Sequence, residues 1–85
     1  MNIVFAKYFK KRIAKHTRST QRKFIDRVKV FQEDKFYSLL HNHSLTGKYQ
    51  GYRSINITGD IRAVFREEGE TVIFEDIGTH SELYD

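Results

Sequence analysis

A chain of 85 residues has room for one domain, 1–85, and at this size folding hides only about 60–65% of the surface the unfolded chain exposes. Hydrophobic residues at 39% supply a core, while charged residues at 31% leave no stretch apolar enough to span a membrane. Cysteine is absent, which excludes disulfides and thiolate metal sites. The apolar start Met1–Ala6 is cut off by Lys7, Lys10, Lys11 and Arg12, too soon for the apolar region of a signal peptide, so the cytoplasm is the expected location. Net charge is +4, but its distribution says more: Met1 to Arg53 carries 13 Lys/Arg against 3 Asp/Glu, and Ser54 to Asp85 carries 2 against 8. The first half can present a phosphate-attracting surface or dock on an acidic protein.

In chain order, Ile3, Val4 and Phe5 form a short β-prone run leading into a basic segment whose Phe5, Phe9 and Ile13 stripe one helical face. Thr17, Ser19 and Thr20 offer N-caps for a second helix, where Phe24, Val28 and Phe31 mark an apolar stripe thickened by Ile25. Arg22 and Lys23 stand three residues beyond Ser19 and Thr20, so neither can complete a capping box there. Phe36 to Asn42 is irregular, with Leu39 and Leu40 expected to anchor the connection to the core. Three β-prone runs follow: Gly51 to Ile57, Ile61 to Phe65, and Val72 to Phe74, separated by turns at Thr58-Gly59 and Glu67–Glu70. Arg53, Ile55 and Ile57 share one face of the first, against Tyr52, Ser54 and Asn56; Ile61, Ala63 and Phe65 share one face of the second, against Arg62 and Val64. The expected architecture is α+β: a short N-terminal strand and two N-terminal helices packed on an antiparallel sheet.

The chemistry-bearing residues gather in the second half. Cleaving RNA without a metal requires a group to take the 2′-hydroxyl proton, one to protonate the leaving oxygen, and positive charge for the phosphorane. His43 and His80 can fill the proton roles near neutrality, His80 projecting beyond a Gly78 that is expected to end the last strand. Arg62 and Arg53 are candidate phosphate clamps, because a guanidinium holds phosphate bidentately. Asp60 follows a turn, where Asp is common for local reasons; as a functional group it would orient an imidazole or accept the 2′-hydroxyl proton. Tyr84 either stacks on a base or pins the C-terminus, and Tyr49 and Tyr52 also lie near cations in sequence. His41, His43, His80 and Asp60 include enough ligands for zinc, but His-x-His on a loop is frequent by chance and no Cys or HExxH spacing accompanies it, so no metal or cofactor is expected. No phosphate-cradling Gly loop and no GxSxG motif is present.

In order along the chain, His43, Leu45, Gly47, Gly51-Tyr52-Arg53, Asp60, Gly78-Thr79-His80, Leu83 and Tyr84 resemble the RelE-like toxins of bacterial type II toxin–antitoxin systems, and most closely the YafQ branch. The resemblance implies a microbial-ribonuclease-like fold, ribosome-dependent cleavage of mRNA in the A site, and inhibition by a cognate antitoxin. It also implies a toxin that is monomeric alone and hetero-oligomeric with that antitoxin, with a basic surface for ribosomal RNA. It carries catalytic roles onto His43, Asp60 and His80, and a substrate-contacting role onto Tyr84; the RelE and YoeB branches place an essential Arg where Arg62 stands. Lys48 and Arg53 join Tyr84 as expected substrate-binding residues. Asn56 stands where the YafQ branch carries His and Asp76 where it carries Arg, which assigns the missing positive charge to Arg62 and the missing proton transfer to His43 or His80. Two other readings share the fold: a ParE-like toxin that binds DNA gyrase, and a catalytically weak member that mainly binds antitoxin or ribosome.

Overall fold

In the computed structural model, which describes residues 1–84, the chain opens with strand β1 (Asn2–Phe5) and passes through Ala6 into helix α1 (Lys7–Ala14). Helix α2 (Arg18–Glu33) begins at the cap Thr17, whose Oγ1 accepts a hydrogen bond from the Thr20 amide at 3.1 Å. A cap of this kind is worth about 1 kcal/mol. Gln21 Nε2 reaches back to donate to the carbonyls of Ile13 (3.0 Å) and His16 (3.1 Å), so a side chain of α2 binds the backbone at the end of α1. That clamp holds the two helices in a tight hairpin.

A 3₁₀ turn at Ser38–Leu40 leads to the two-residue strand β2 (His43–Ser44), and a second at Gly47–Tyr49 leads to β3 (Arg53–Asn56). Strands β4 (Ile61–Glu68) and β5 (Thr71–Thr79) follow, and helix α3 (His80–Tyr84) closes the described chain. The strands lie in the order β1-β5-β4-β3-β2, with β1 parallel to β5 and the others antiparallel to their neighbours. The three later strand runs are antiparallel neighbours as expected, but the sheet as a whole is mixed and not antiparallel throughout. Hairpin connectivity dictates direction only for sequential strands, whereas β1 is set beside β5 by packing across the whole chain, with Phe5 opposite Phe74.

Several sequence expectations change. Glu67 and Glu68 belong to β4, so the hairpin turns through Gly69 and Glu70 alone, with Gly69 in the left-handed region (φ 59°) where a tight hairpin favours glycine. The last strand runs through Gly78 instead of ending there, because Gly78 pairs with Arg62. Ile25 is exposed and does not thicken the α2 stripe; Leu40 is buried while Leu39 is not.

The core lies between the helices and one face of the sheet, and is largely aromatic. Phe9, Phe24, Phe31, Phe65 and Phe74 are buried together with Leu40, Ile55, Ile57, Ala63 and Ile77. Phe74 is central: its ring centroid lies 5.3 Å from Phe24, 5.5 Å from Phe65, 5.8 Å from Phe9 and 6.0 Å from both Phe5 and Phe31. Between β4 and β5 the register shifts, passing from Val64 opposite Asp76 to Phe65 opposite Phe74, so Glu75 is an extra residue on β5. Such a bulge reverses which side chains face the core. Phe74 and Ile77 both point inward although three residues apart, and Asp76 and Gly78 turn to the open face with Arg62 and Val64. Replacing Phe74 with Ala should cost about 3–5 kcal/mol, a large share of the stability of so small a domain, whereas Phe74→Leu should cost clearly less; urea unfolding monitored by circular dichroism measures both.

Candidate functional site

The open face of the sheet carries the site. His43 pairs with Ser54 on β3, and Asn56, two residues further along the same face, pairs with Arg62 on β4, which in turn pairs with Gly78 on β5. Helix α3 lies against this face. A Cβ at Gly78 would come within 3.0 Å of Arg12 Nη2 and 3.1 Å of Glu82 Cβ, so glycine gives α3 and Arg12 room to lie close to the strand. The result is a hollow of about 310 Å³ lined by His43, Leu45, Thr46, Ser54, Arg62, His80 and Tyr84.

His43 is oriented by the backbone just before it. His41 adopts the left-handed conformation (φ 48°, ψ 49°), which is uncommon for a residue with a Cβ, and turns the chain from the 3₁₀ turn into β2. Its carbonyl oxygen lies 2.8 Å from His43 Nδ1. A carbonyl only accepts, so Nδ1 carries the proton, and in the neutral ring Nε2 keeps its lone pair. Nε2 stands 3.4 Å from Ser54 Oγ, which donates to it.

Arg62 is tied down on one nitrogen. Its Nη1 donates to the carbonyls of Gly59 (3.1 Å), Thr58 (3.4 Å) and Ile61 (3.5 Å), and among the described residues Nε and Nη2 make no hydrogen bond. The guanidinium is anchored to the β3–β4 loop with donors to spare. Asn56 Oδ1, on the paired residue, is buried without a hydrogen-bond partner among the described residues.

His80 and Tyr84 come from α3, and a reciprocal capping box fixes that short helix. Thr79 Oγ1 accepts from the Glu82 amide at 3.1 Å, and Glu82 Oε1 accepts from the Thr79 amide at 2.8 Å. The Thr79 amide holds the Glu82 carboxyl below its usual range; burial opposes it, and the Thr79 hydroxyl adds a lesser lowering. One turn apart, the His80 and Tyr84 rings meet edge to face at 4.8 Å, and Tyr84 meets Tyr49 in the same way at 5.8 Å. Tyr49 in turn reaches Asp76, its hydroxyl 3.5 Å from Oδ2. Burial, and then the negative Asp76, push the Tyr49 phenol up from 10.0.

Asp76 is withdrawn from the hollow. Its Oδ1 pairs with Arg12 Nε at 3.3 Å and accepts from the Ile77 amide at 2.8 Å. The carboxylate that replaces an expected Arg is therefore neutralised by an Arg from α1 and serves as an anchor under Tyr49.

Of the expected site residues, His43, Arg62, His80 and Tyr84 line one hollow. Asp60 is exposed and lines a neighbouring one with Gly59, Arg62, Thr79, His80 and Ser81. Arg53 lies elsewhere: strand alternation sends its side chain away from Ser54, where Nε donates to Asn42 Oδ1 at 2.8 Å and the guanidinium lies 5.4 Å from the Phe36 ring. Lys48 sits on the 3₁₀ turn, 5.3 Å from the Tyr49 ring, beside Tyr8, Tyr52 and Asp76. Neither lines the hollow. The rings of His41 and His43 lie 4.9 Å apart, yet among the described residues no group of three His, Cys, Asp or Glu is placed to hold a metal ion. Ser54, Arg12 and the capping pair Thr79–Glu82 were not singled out in the sequence. Thr79-x-x-Glu82 was legible as a capping box; Ser54 and Arg12 become visible only through pairing across the sheet and packing of α1.

The family model for the bacterial toxin of type II toxin–antitoxin systems, YafQ, matches residues 1–85. The chain belongs to the YafQ family. Solved structures agree in fold. YafQ from E. coli strain BL21(DE3) superposes with a TM-score of 0.77 at 18% identity over 99% of this chain and 98% of that one. The toxin of the E. coli DinJ–YafQ complex gives 0.74 at 19% over 99% and 98%. The RelB–RelE antitoxin–toxin complex from Methanococcus jannaschii gives 0.69 at 20% over 96% and 95%. No functionally curated protein matches the chain significantly. The mixed five-stranded sheet under a helical hairpin is thus the RelE-like toxin fold, and YafQ-family toxins are in general RelE-like endoribonucleases.

Two predictions concern how the YafQ-family site is held. Because Glu82 titrates below its ordinary 4.5 when folded, its contribution to α3 is complete at neutral pH and is lost as pH falls through the folded value; protection of the His80–Tyr84 amides, relative to their intrinsic exchange rates, should fall over that acid range, and Glu82→Gln should remove this loss. At His41, Gly should be tolerated while the β-branched Val should destabilise by about 1 kcal/mol or more. In the parent, ¹⁵N shifts should show neutral His43 as the Nδ1-protonated tautomer, and His41→Val should weaken that preference.

Proposed function

We propose that this toxin is a ribosome-dependent mRNA interferase, an endoribonuclease that cuts mRNA in the ribosomal A site and so inhibits translation, without a metal ion. The observation that carries this reading is that His43, Arg62, His80 and Tyr84 line one hollow. His43 is the base: the 2′-hydroxyl takes the place of Ser54 Oγ, which meets Nε2 at 3.4 Å, and gives its proton to that nitrogen. The 2′-oxygen attacks phosphorus, the bond to the 5′-oxygen breaks, and His80 gives that oxygen a proton, leaving a 2′,3′-cyclic phosphate. Arg62 holds the phosphorane through its remaining donors. Tyr84, braced by Tyr49, stacks on a base next to the scissile bond. Asp60, which lines the neighbouring hollow with His80, is assigned to orient that imidazole.

The helical surface supports docking on ribosomal RNA. Lys7, Lys10, Lys11, Lys15, Arg18, Arg22, Lys23 and Lys29 are exposed on or between α1 and α2, and among the described residues the salt bridges engage only Arg12, Lys35 and Arg66. Such a surface binds phosphate backbones in a salt-dependent manner. The DinJ–YafQ and RelB–RelE structures are complexes of toxin with antitoxin, and we infer a cognate antitoxin for this chain, with the toxin monomeric alone and hetero-oligomeric in complex. No helix among the described residues is long and apolar enough to cross a membrane, in keeping with action on ribosomes in the cytoplasm.

Primer extension on actively translated mRNA tests the reading. The parent should produce cuts at codons, His80→Ala should slow cleavage by about 10²–10⁴-fold, and Arg62→Ala by about 10²–10³-fold. Uncut mRNA with growth arrest and DNA damage would replace it with the gyrase-directed alternative. Uncut mRNA with antitoxin binding intact would leave a catalytically weak binding module, for which sequestered Asp76 and unpartnered Asn56 Oδ1 would be the cause. Naked RNA is a poor assay, because the ribosome presents the strand in line for attack.

A further inference from the structure

The segment joining α2 to β2 bears aromatic side chains that the core does not use. Phe36 is 59% and Tyr37 51% exposed. Lys35 Nζ lies 5.6 Å and Arg53 Cζ 5.4 Å from the Phe36 ring centroid. Lys35 shares its charge with Glu67 at 3.0 Å, while Arg53 is held by the neutral Asn42 and keeps its net charge.

This segment is built rather than loose. Asn42 Nδ2 donates to the Lys35 carbonyl at 2.9 Å while its Oδ1 accepts from Arg53 Nε at 2.8 Å, so one side chain ties the loop to β3. Asp34 Oδ1 accepts from the Phe36 amide at 3.1 Å, and Leu40 plugs the far end of the loop into the core. The aromatic rings are thus displayed on a fixed backbone, and binding to them forfeits little ordering entropy. The platform is also continuous with the hollow: Asn42 directly precedes His43, and the exposed His41 ring lies 4.9 Å from that of His43. The hollow and the platform lie on opposite sides of β2, which is the edge strand of the sheet. Stacking on the rings needs unpaired bases, which a single strand offers and a duplex does not.

We propose that Phe36 and Tyr37, with Arg53, form a stacking platform for bases of single-stranded RNA that lie outside the reaction hollow, beyond β2. Exposed rings flanked by cations on a rigid support suit a chain of π-faces carrying phosphates. A protein partner would instead have to desolvate Arg53 to cover the rings. The proposal deepens the ribonuclease reading and rests on it for the identity of the nucleic acid, but its test is a binding measurement in which no bond is cut.

The chain contains no tryptophan, so Phe36→Trp places a single reporter on the platform. The probe is a short single-stranded oligoadenylate with 2′-O-methyl sugars, which lacks the nucleophile and cannot be cleaved. Fluorescence anisotropy with labelled probe should show Phe36→Ala binding about 10-fold or more weakly than the parent, with Phe36→Trp restoring affinity. The Phe36→Trp emission should be quenched as the probe saturates, and a duplex of the same length should not quench it. Unchanged affinity in Phe36→Ala, or unquenched Trp at saturation, overturns the platform, as does a Phe36→Ala variant that loses affinity for antitoxin and keeps it for the oligonucleotide. Failure of mRNA cleavage with platform binding intact would count against the ribonuclease reading alone.

Discussion

The ring of Phe74 is the constraint on which the rest of this small structure depends. It touches aromatic rings from β1, α1, α2 and β4 at once, so a single side chain on β5 joins the helical hairpin to the sheet. A domain of this size cannot bury much, and aromatic side chains are the most area-efficient way to do it. With Phe74 fixed, β5 is fixed, and β5 ends in the Thr79 cap from which His80 and Tyr84 are displayed.

The bulge at Glu75 then decides what the other face of the sheet can do. Without the extra residue, the alternation that buries Phe74 would also turn Asp76 and Gly78 inward and Ile77 outward. With it, the open face receives a glycine that lets α3 approach and a carboxylate that Arg12 neutralises. Core packing and site assembly are thus two consequences of one register shift. The chain of contacts from Arg12 through Asp76, Tyr49 and Tyr84 to His80 links the helical hairpin to the hollow.

Much of this was legible in the chain. The apolar stripes of Phe9 and of Phe24, Val28 and Phe31, and the alternation of Ile61, Ala63 and Phe65, correspond to helices and a strand whose marked faces meet in the core. Ile25 misled because an exposed apolar residue beside a stripe looks like a wider stripe. The end of β5 was misplaced at Gly78, since a glycine reads as a terminator when the helix packed over it is unknown. Arg53 carries the same phosphate-holding guanidinium as Arg62, but strand alternation sends it to the other side of the sheet.

The sequence by itself determined the two N-terminal helices, the strands other than β2, the apolar stripes of the core and the family, since periodicity, turn residues and ordered motifs are local properties of the chain; it did not determine β2 or α3. Only tertiary structure decided that β1 runs parallel to β5, that Asp76 is an anchor for Tyr49, and that His43, Arg62, His80 and Tyr84 share a hollow from which Arg53 and Lys48 are absent. Each of these depends on register between segments distant in sequence or on a one-residue bulge. A shift of one residue moves a side chain to the opposite face without changing any local pattern.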